Sequence, residues 1–231
     1  MISPGVTKNI WSVKNGLVRR RNFSIDRLQL YLPLGHPELS GSPIVSKDIN
    51  AVSCTVTGAV HAPPTSRTFS GDDYISFTSP LAAGDTFTAI AWFKQTTRAD
   101  SRIFMFNITD GAGTQGMGFG IDTSNQLRVV YDGVVWGNGT TVPDLATWYL
   151  GMMTRVADVS NLYINGSASV ISTLDNTPQD GGTEIRIGVG SNATIPTYFL
   201  KGAVGEVWFY NRALGAGEWA GIYNNTLWRY V

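Results

Sequence analysis

The residues that most often perform nucleophilic catalysis are few and scattered in this sequence. The two histidines, His36 and His61, lie in proline-rich segments near the N-terminus, and Cys54 is the only cysteine. A nucleophile needs a base and an orienting acid within hydrogen-bond reach, and these positions do not predict such a set. One cysteine and two separated histidines also argue against a zinc site. We therefore assign no catalytic residues.

The four glutamates do not form the carboxylate pair that glycoside hydrolysis requires. Such enzymes usually place two carboxyl groups roughly 5–10 Å apart, on either side of the scissile bond. None of the four has a second carboxylate two residues away on a predicted strand; they are Glu38, Glu184, Glu206 and Glu218. The sequence therefore predicts that the chain is not an enzyme.

Aromatic and polar residues near the predicted turns instead favour recognition of a sugar. Sugars stack their C–H faces on aromatic rings, while fixed polar groups orient their hydroxyls. The alternative is that these aromatic residues are half-buried packing residues of strands. The candidate glycan-binding residues are Tyr131, Asp132, Trp136, Asn138, Asp110, Asn192 and Tyr198.

The N-terminal segment differs in charge from the rest of the chain. Residues 1–27 hold six basic side chains and one acid, a net charge of +5, so the remainder carries −5. We expect this extended basic arm to dock on a partner protein, although a solvated tail is the alternative. Three arginines without a basic body are a weak nucleic-acid footprint, and we expect no nucleic acid. The candidate docking residues are Trp11, Arg19, Arg20, Arg21 and Phe23.

Cysteine content and hydropathy indicate in which cellular compartment the protein folds. A single cysteine permits no disulfide within the chain, which is consistent with folding in a reducing cytosol. Pro4, Gly5, Lys8 and Lys14 interrupt the stretch where a secretory signal would have its apolar segment. No apolar run approaches the ~18 residues that a spanning helix needs, so we expect no membrane span.

Alternating apolar residues predict many short strands with no helices between them. This pattern is typical of an antiparallel sandwich or barrel. Asp132-Gly133 and Asn165-Gly166 follow apolar runs and predict type I′ hairpin turns. Only residues 214–223 show a helical pattern. The predicted strands are 28–32, 52–56, 74–77, 87–93, 103–108, 117–121, 127–131, 134–136, 148–153, 162–164, 185–189 and 204–210.

Four segments resemble the laminin G-like jelly rolls of the concanavalin A-like lectin/glucanase superfamily. They are LQLYLPL (28–34), RTFSGDDYISF (67–77), TWYLGMMTRVADVSNLYING (147–166) and LKGAVGEVWFYNRALGAGEWAGIYN (200–224). The resemblance implies an all-β fold, an antiparallel two-sheet jelly-roll sandwich over residues 28–231, with the extended arm before it and a short C-terminal helix. The glucanase pattern Glu-x-Asp-x-x-Glu is absent.

The resemblance also implies particular sites. Asp72 and Asp73 match an acidic pair of the family and are the candidate ligands of a calcium ion, although Gly205 stands where the family usually has an aspartate. Arg212 and Glu206 are a candidate pair that holds the last strand. The expected core residues are Trp92, Phe104, Phe119, Trp148, Leu162 and Trp208.

Two functions follow from these observations. The first is a structural protein of a virus particle, of the bacteriophage kind: a capsid decoration, fibre or tail component. Its jelly roll would be displayed as a lectin-like head that binds host glycans, and its arm would contact other virion proteins. The second is a carbohydrate-binding or adhesion module of a cellular extracellular protein. We expect a homo-oligomer located in the virion, and an extracellular location in the second case.

Overall fold

The structure is a computed structural model. It describes residues 23–78, 86–108, 116–131, 134–138, 143–157, 159–172, 183–192 and 195–231. The predicted sites at Trp11, Arg19, Arg20 and Arg21 lie outside these residues, as do Asp110 and the Asp132-Gly133 turn.

Short strands make up most of the described chain. One α-helix, α1 (Ala216–Thr226), follows them, and 3-10 turns occupy Pro37–Leu39 and Leu227–Arg229. The strands are β1 (Leu28–Pro33), β2 (Ile44–Val45), β3 (Ser53–Thr57), β4 (Val60–Ala62), β5 (Ser66–Ser70), β6 (Tyr74–Thr78), β7 (Phe87–Gln95), β8 (Ser101–Ile108), β9 (Met117–Ile121), β10 (Leu127–Tyr131), β11 (Val134–Asn138), β12 (Tyr149–Val156), β13 (Val159–Ile164), β14 (Ser167–Ser172), β15 (Glu184–Ile187), β16 (Gly190–Asn192), β17 (Ile195–Thr197) and β18 (Lys201–Tyr210).

Two antiparallel sheets form the predicted sandwich. The first has the order β14-β13-β12-β7-β18-β5-β4, and β1 also pairs with β18. The second has the order β11-β10-β9-β8-β15-β6-β3-β2, while β16 and β17 form a separate hairpin. Long-range neighbours such as β7 and β18 are typical of a jelly roll, so the predicted fold class is confirmed.

The inner faces of the two sheets enclose the main hydrophobic core. Phe104, Phe119 and Leu162 are fully buried there, as the sequence predicts. The central strand β7 is buried on both faces because β12 and β18 flank it and each sheet face is covered. This explains its almost continuous apolar sequence. The Asn165-Gly166 turn has φ values of 49° and 82°, which confirms the predicted hairpin.

A second hydrophobic cluster covers the outer face of the first sheet, beneath α1. Trp92 and Trp208 are buried in this cluster rather than between the sheets, and Trp148 is only partly buried beside it. Trp92 and Trp208 are therefore core residues as predicted, but of this second cluster, whereas the prediction that Trp148 is a core residue is corrected. In a strand buried on both faces, the sequence alone cannot tell which alternate residues point inward.

Arg212 joins the last strand to the helix and to the chain that precedes β1. Its Nη1 and Nη2 lie 2.8 and 2.6 Å from the two carboxylate oxygens of Glu218, and its Nε donates to the carbonyl of Asp26. The predicted Arg212–Glu206 pair is therefore wrong. Residue 206 is on β18 and faces the C-terminal segment, where it pairs with Arg229 instead.

Candidate functional site

A cavity of about 500 Å³ opens where three segments of the chain meet beside Glu206 of β18. Its walls come from the end of β1 and the following turn, from the β4–β5 connection, and from the C-terminal 3-10 turn. This volume lies within the usual range of small-molecule sites. The lining residues are Pro33, Gly35, His36, Pro37, Pro63, Pro64, Thr65, Glu206, Trp228, Arg229 and Tyr230.

Trp228 presents an exposed aromatic ring in this wall. Its side chain is among the largest exposed apolar groups of the described chain, with 55% of the residue accessible. The 3-10 turn that follows α1 places it there, and its Nε1 donates to the carbonyl of Asn225 at 3.0 Å. The guanidinium of Arg229 lies 5.1 Å from the ring centre. The ring is therefore held in position while it remains open to solvent.

Buried and partly buried polar groups also line the cavity. The carboxylate of Glu206 accepts a hydrogen bond from the Tyr31 hydroxyl and forms an ion pair with Arg229. Burial lowers the pKa of Arg229, but the charge of Glu206 and the neighbouring tyrosines outweigh it, so the net shift is upward. Burial raises the pKa of Tyr230, because it disfavours the charged form of the hydroxyl. The arginine therefore stays charged and the tyrosine stays neutral at neutral pH.

Two glycines permit the close approach of the cavity walls. A Cβ atom on Gly35 would lie 2.3 Å from the backbone carbon of Thr65, and one on Gly205 would lie 2.4 Å from the Tyr230 hydroxyl. That hydroxyl accepts a hydrogen bond from the backbone N–H of Glu206 at 2.9 Å. Position 205, where the family usually has an aspartate, is therefore a glycine because the Tyr230 ring occupies the space of a side chain.

The chemistry of this cavity suits a polar ligand with an apolar face. The exposed indole offers a stacking surface, the prolines supply apolar walls, and His36, Glu206 and Arg229 supply polar groups. Glu206 is the only acid among the lining residues. None of these residues was predicted from the sequence to bind a ligand. The available signal was Trp228-Arg229-Tyr230, a tryptophan, a cation and a hydroxyl next to one another just after the helix.

The predicted glycan-binding residues lie elsewhere, on and beside the second sheet. Tyr131 is on β10, and Trp136 and Asn138 are on β11; Asn192 is on β16, and these four side chains lie outside the described part of the structure. The ring of Tyr198 is partly buried and stacks on the guanidinium of Arg102, 4.2 Å from it. The structure brings Tyr198 to Arg102 and does not bring it to the cavity.

Asp72 and Asp73 lie in the turn between β5 and β6, where both accept hydrogen bonds from Ser70. Oδ2 of Asp73 accepts hydrogen bonds from the backbone N–H and the hydroxyl of Ser70, at 2.6 and 2.8 Å. Oδ1 of Asp72 accepts from the same hydroxyl. Among the described residues, no three His, Cys, Asp or Glu side chains come together as metal ligands would. Both acids shape the turn, and the calcium site stays a prediction.

Phe23, one of the predicted docking residues, contacts its own chain. Its ring centre lies 5.1 Å from that of Tyr31 and 5.9 Å from that of Trp208. Ser24 follows it and accepts the hydroxyl of Tyr210 through its carbonyl at 3.0 Å. Residues from 23 onward therefore pack on the sandwich. In the described part of the chain, no helix combines the length and the apolar character that a membrane crossing needs.

Several solved structures have a fold similar to that of this chain. Trypanosoma rangeli sialidase in complex with sialic acid matches with a TM-score of 0.66 and 19% identity, over 87% of this chain and 33% of that one. Domain 4 of AbnA, an arabinanase from Geobacillus stearothermophilus in complex with arabinotriose, matches with a TM-score of 0.63 and 17% identity, over 85% and 98%. The botulinum neurotoxin serotype D binding domain gives 0.63 and 13%, over 88% and 53%.

These matches correct one prediction of the sequence analysis. The chain spans about a third of the length of the sialidase chains, and sialidases are enzymes. The prediction that the chain is not an enzyme is therefore wrong in its premise, because this fold also occurs within enzyme chains. At these identities the likeness shows the fold alone.

The sequence also matches a family model. No protein with a curated description matches the chain. The model of Laminin_G_3, described as the concanavalin A-like lectin/glucanases superfamily, matches residues 69–218, which is more than half of the sequence. The fold, the matched segments and the family model agree, and the chain belongs to the concanavalin A-like lectin/glucanases superfamily.

Proposed function

We propose that this chain is a carbohydrate-binding jelly roll whose glycan site is the cavity beside Trp228. The observation behind the proposal is the exposed indole at the wall of a cavity of about 500 Å³ that is also lined by an ion pair between the buried Glu206 and the partly buried Arg229. Aromatic rings bind the C–H faces of sugars, and fixed polar groups in an otherwise apolar wall select hydroxyl orientation. The arabinotriose complex of the AbnA domain supports testing sugars with this fold.

The test is a glycan array probed with the full chain, followed by calorimetric titration of the best array sugar and of arabinotriose. Trp228→Ala removes the stacking ring, and we expect at least a tenfold loss of affinity. Trp228→Phe keeps an aromatic face and should recover most of it. Ile49→Ala, which removes an apolar group that is 83% exposed elsewhere, is the matched control.

Two results would argue against this site. The first is an array without signal at high protein concentration. The second is a sugar affinity that Trp228→Ala leaves unchanged. In the second case, the sugar binds at another surface of the same domain.

We further propose that the domain is the adhesion head of a virus particle, of the bacteriophage kind, attached through its basic N-terminal segment. The support is the charge division of the sequence, +5 in residues 1–27 and −5 in the remainder, together with the lack of a second cysteine. A basic segment can dock on acidic neighbours, and it would leave the cavity free to meet host glycans.

Antibody labelling of purified particles tests this assignment. We expect the chain in the particle fraction, on the particle surface. Replacing Arg19, Arg20 and Arg21 by serine in the full chain should release it from particles without lowering its melting temperature. A chain found only on the surface of cells would support the second function, a carbohydrate-binding module of a longer extracellular protein. The near-complete overlap with the AbnA domain favours that second function.

A further inference from the structure

Two buried arginines lie side by side on the outer face of the second sheet. Arg102 on β8 and Arg128 on β10 both pair with Gly120 of β9, which separates them. They are 2% and 6% exposed. The residue between them has no side chain, so the two guanidinium groups share one surface of the sheet.

This pair has more positive charge than the described residues neutralise. Both guanidinium groups contact the same carboxylate oxygen, Oδ1 of Asp100, so one negative charge faces two positive ones. The buried Nε of Arg128 has no hydrogen-bond partner among the described residues. Burial lowers the pKa of Arg102, and the charge of Arg128 lowers it further, against the opposing effect of Asp100. An uncompensated buried charge destabilises the fold strongly.

Tyr198, in the β17–β18 connection, contacts Arg102. Its backbone has φ of 58°, a left-handed conformation that is uncommon for an aromatic residue, and its ring stacks on Arg102. Its carbonyl accepts the backbone N–H of Arg102 at 2.9 Å. A Cβ atom on Gly190 would lie 2.7 Å from Cγ of Arg102, so the local packing depends on that glycine. Unfavourable backbone of this kind is often retained at functional sites.

We propose that Arg102 and Arg128 bind the carboxylate of an acidic sugar, such as a uronic acid. A planar guanidinium matches the two oxygens of a carboxylate, and a second anion would balance the excess positive charge. That a sugar provides the carboxylate rests on the proposed function. The site is separate from the cavity beside Trp228, which shares none of these residues.

The test compares sodium glucuronate with glucose and with sodium acetate, at constant ionic strength, by calorimetric titration and thermal unfolding. The full chain should bind glucuronate at least tenfold more tightly than either control. Arg128→Gln should lower the glucuronate affinity at least tenfold, while Asp100→Asn should raise it because it removes the competing carboxylate. Arg98→Gln removes one charge from the exposed loop nearby and should change the affinity less than twofold.

Several results would overturn the proposal. If glucuronate binds no better than glucose, the site does not recognise the carboxylate. If acetate binds as tightly as glucuronate, the site does not recognise the sugar. An affinity that Asp100→Asn leaves unchanged or lowers means that this carboxylate does not compete for the arginines. If Arg128→Gln does not fold, Arg128→Lys keeps the charge without the planar fork and should still weaken binding. A loss of neutral-glycan affinity in Trp228→Ala concerns the cavity beside Trp228 alone. The two proposals can therefore fail independently.

Discussion

Both outer faces of this sandwich carry buried side chains, but the kind of side chain differs between the two sheets. On the first sheet, tryptophans and tyrosines pack beneath α1 and the C-terminal segment, as with Trp92, whose ring centre lies 4.3 Å from that of Tyr230. On the second sheet, the arginines Arg102, Arg128 and Arg186 occupy the corresponding positions with exposures of 2–6%. We call these surfaces the aromatic face and the arginine face.

This difference indicates that the aromatic face serves mainly stability and the arginine face mainly recognition. Aromatic burial stabilises a fold without further conditions, because the apolar surface is simply removed from water. Buried cations stabilise a fold only when they are well paired, and apolar residues of similar size would often serve stability as well or better. Locally unfavourable choices of this kind concentrate at functional sites. The arginine face is therefore the face on which we expect substitutions to alter binding more than folding.

The largest effect should follow from a cavity made in the aromatic face. Trp92→Ala removes a ring that stacks on Tyr230 and Tyr223, and it removes the Nε1 hydrogen bond to the Thr226 hydroxyl at 2.8 Å. We expect the free energy of unfolding to fall by about 3–5 kcal/mol. Urea unfolding measures it, with Ile49→Ala as the exposed control. A loss below 1 kcal/mol would contradict the stabilising role of this face.

A smaller effect should follow from breaking the charge balance of the arginine face. Asp100→Asn leaves two buried guanidinium groups with a neutral partner, and we expect a loss of about 1.5–3 kcal/mol. Arg98→Gln in the same loop should change stability by less than about 0.5 kcal/mol. Urea unfolding of the two variants measures the contrast. Equal stability of Asp100→Asn and the unaltered chain would mean that other groups neutralise the arginines.

The smallest effect should depend on pH and concerns the helix that closes the aromatic face. The hydrogen bond from Arg212 lowers the pKa of Glu218 below its ordinary value of 4.5. A carboxyl with a lowered folded-state pKa stabilises the fold above pH 4.5, and this contribution is lost as the pH falls through the folded-state value. The pair is partly exposed, so Glu218→Gln should cost at most about 1 kcal/mol at pH 7.

Unfolding curves between pH 7 and pH 3 would show this dependence. The stability difference between the unaltered chain and Glu218→Gln should shrink as the pH drops below 4.5. A difference that stays constant over this range would show that Glu218 acts through packing or capping of α1 and not through its charge. Its carboxylate also accepts the backbone N–H of Gly215 at the start of that helix.

The sequence predicted the parts of the fold that local patterns determine. Alternating residues located most of the long strands, and Asn165-Gly166 marked its hairpin, because those signals depend on neighbouring residues only. The helix was expected at 214–223 and runs over Ala216–Thr226. Six short strands were missed: β2, β4, β5, β14, β16 and β17. Part of β4 lies in the His61-Ala62-Pro63-Pro64 segment, whose prolines indicated a loop.

The site was harder to predict because it forms from segments far apart in the sequence. The cavity joins Pro33, Pro64 and Trp228, and no local pattern indicates that these residues meet. The same limit explains the wrong partner assigned to Arg212, since Glu218 and Glu206 are equally distant from it in the chain. Tyr198 was selected as an aromatic loop residue, but only the structure shows Arg102 beneath its ring.

One long strand with two successive neighbours has a consequence for the whole family. β18 pairs with β5 over Lys201–Val204 and with β1 over Glu206–Tyr210, and the Leu34 N–H bonds to the Gly205 carbonyl between them. The neighbour of β18 changes from β5 to β1 at this point, and the cavity beside Trp228 opens there. Relatives in which a single strand pairs with the whole of this edge should lack the cavity.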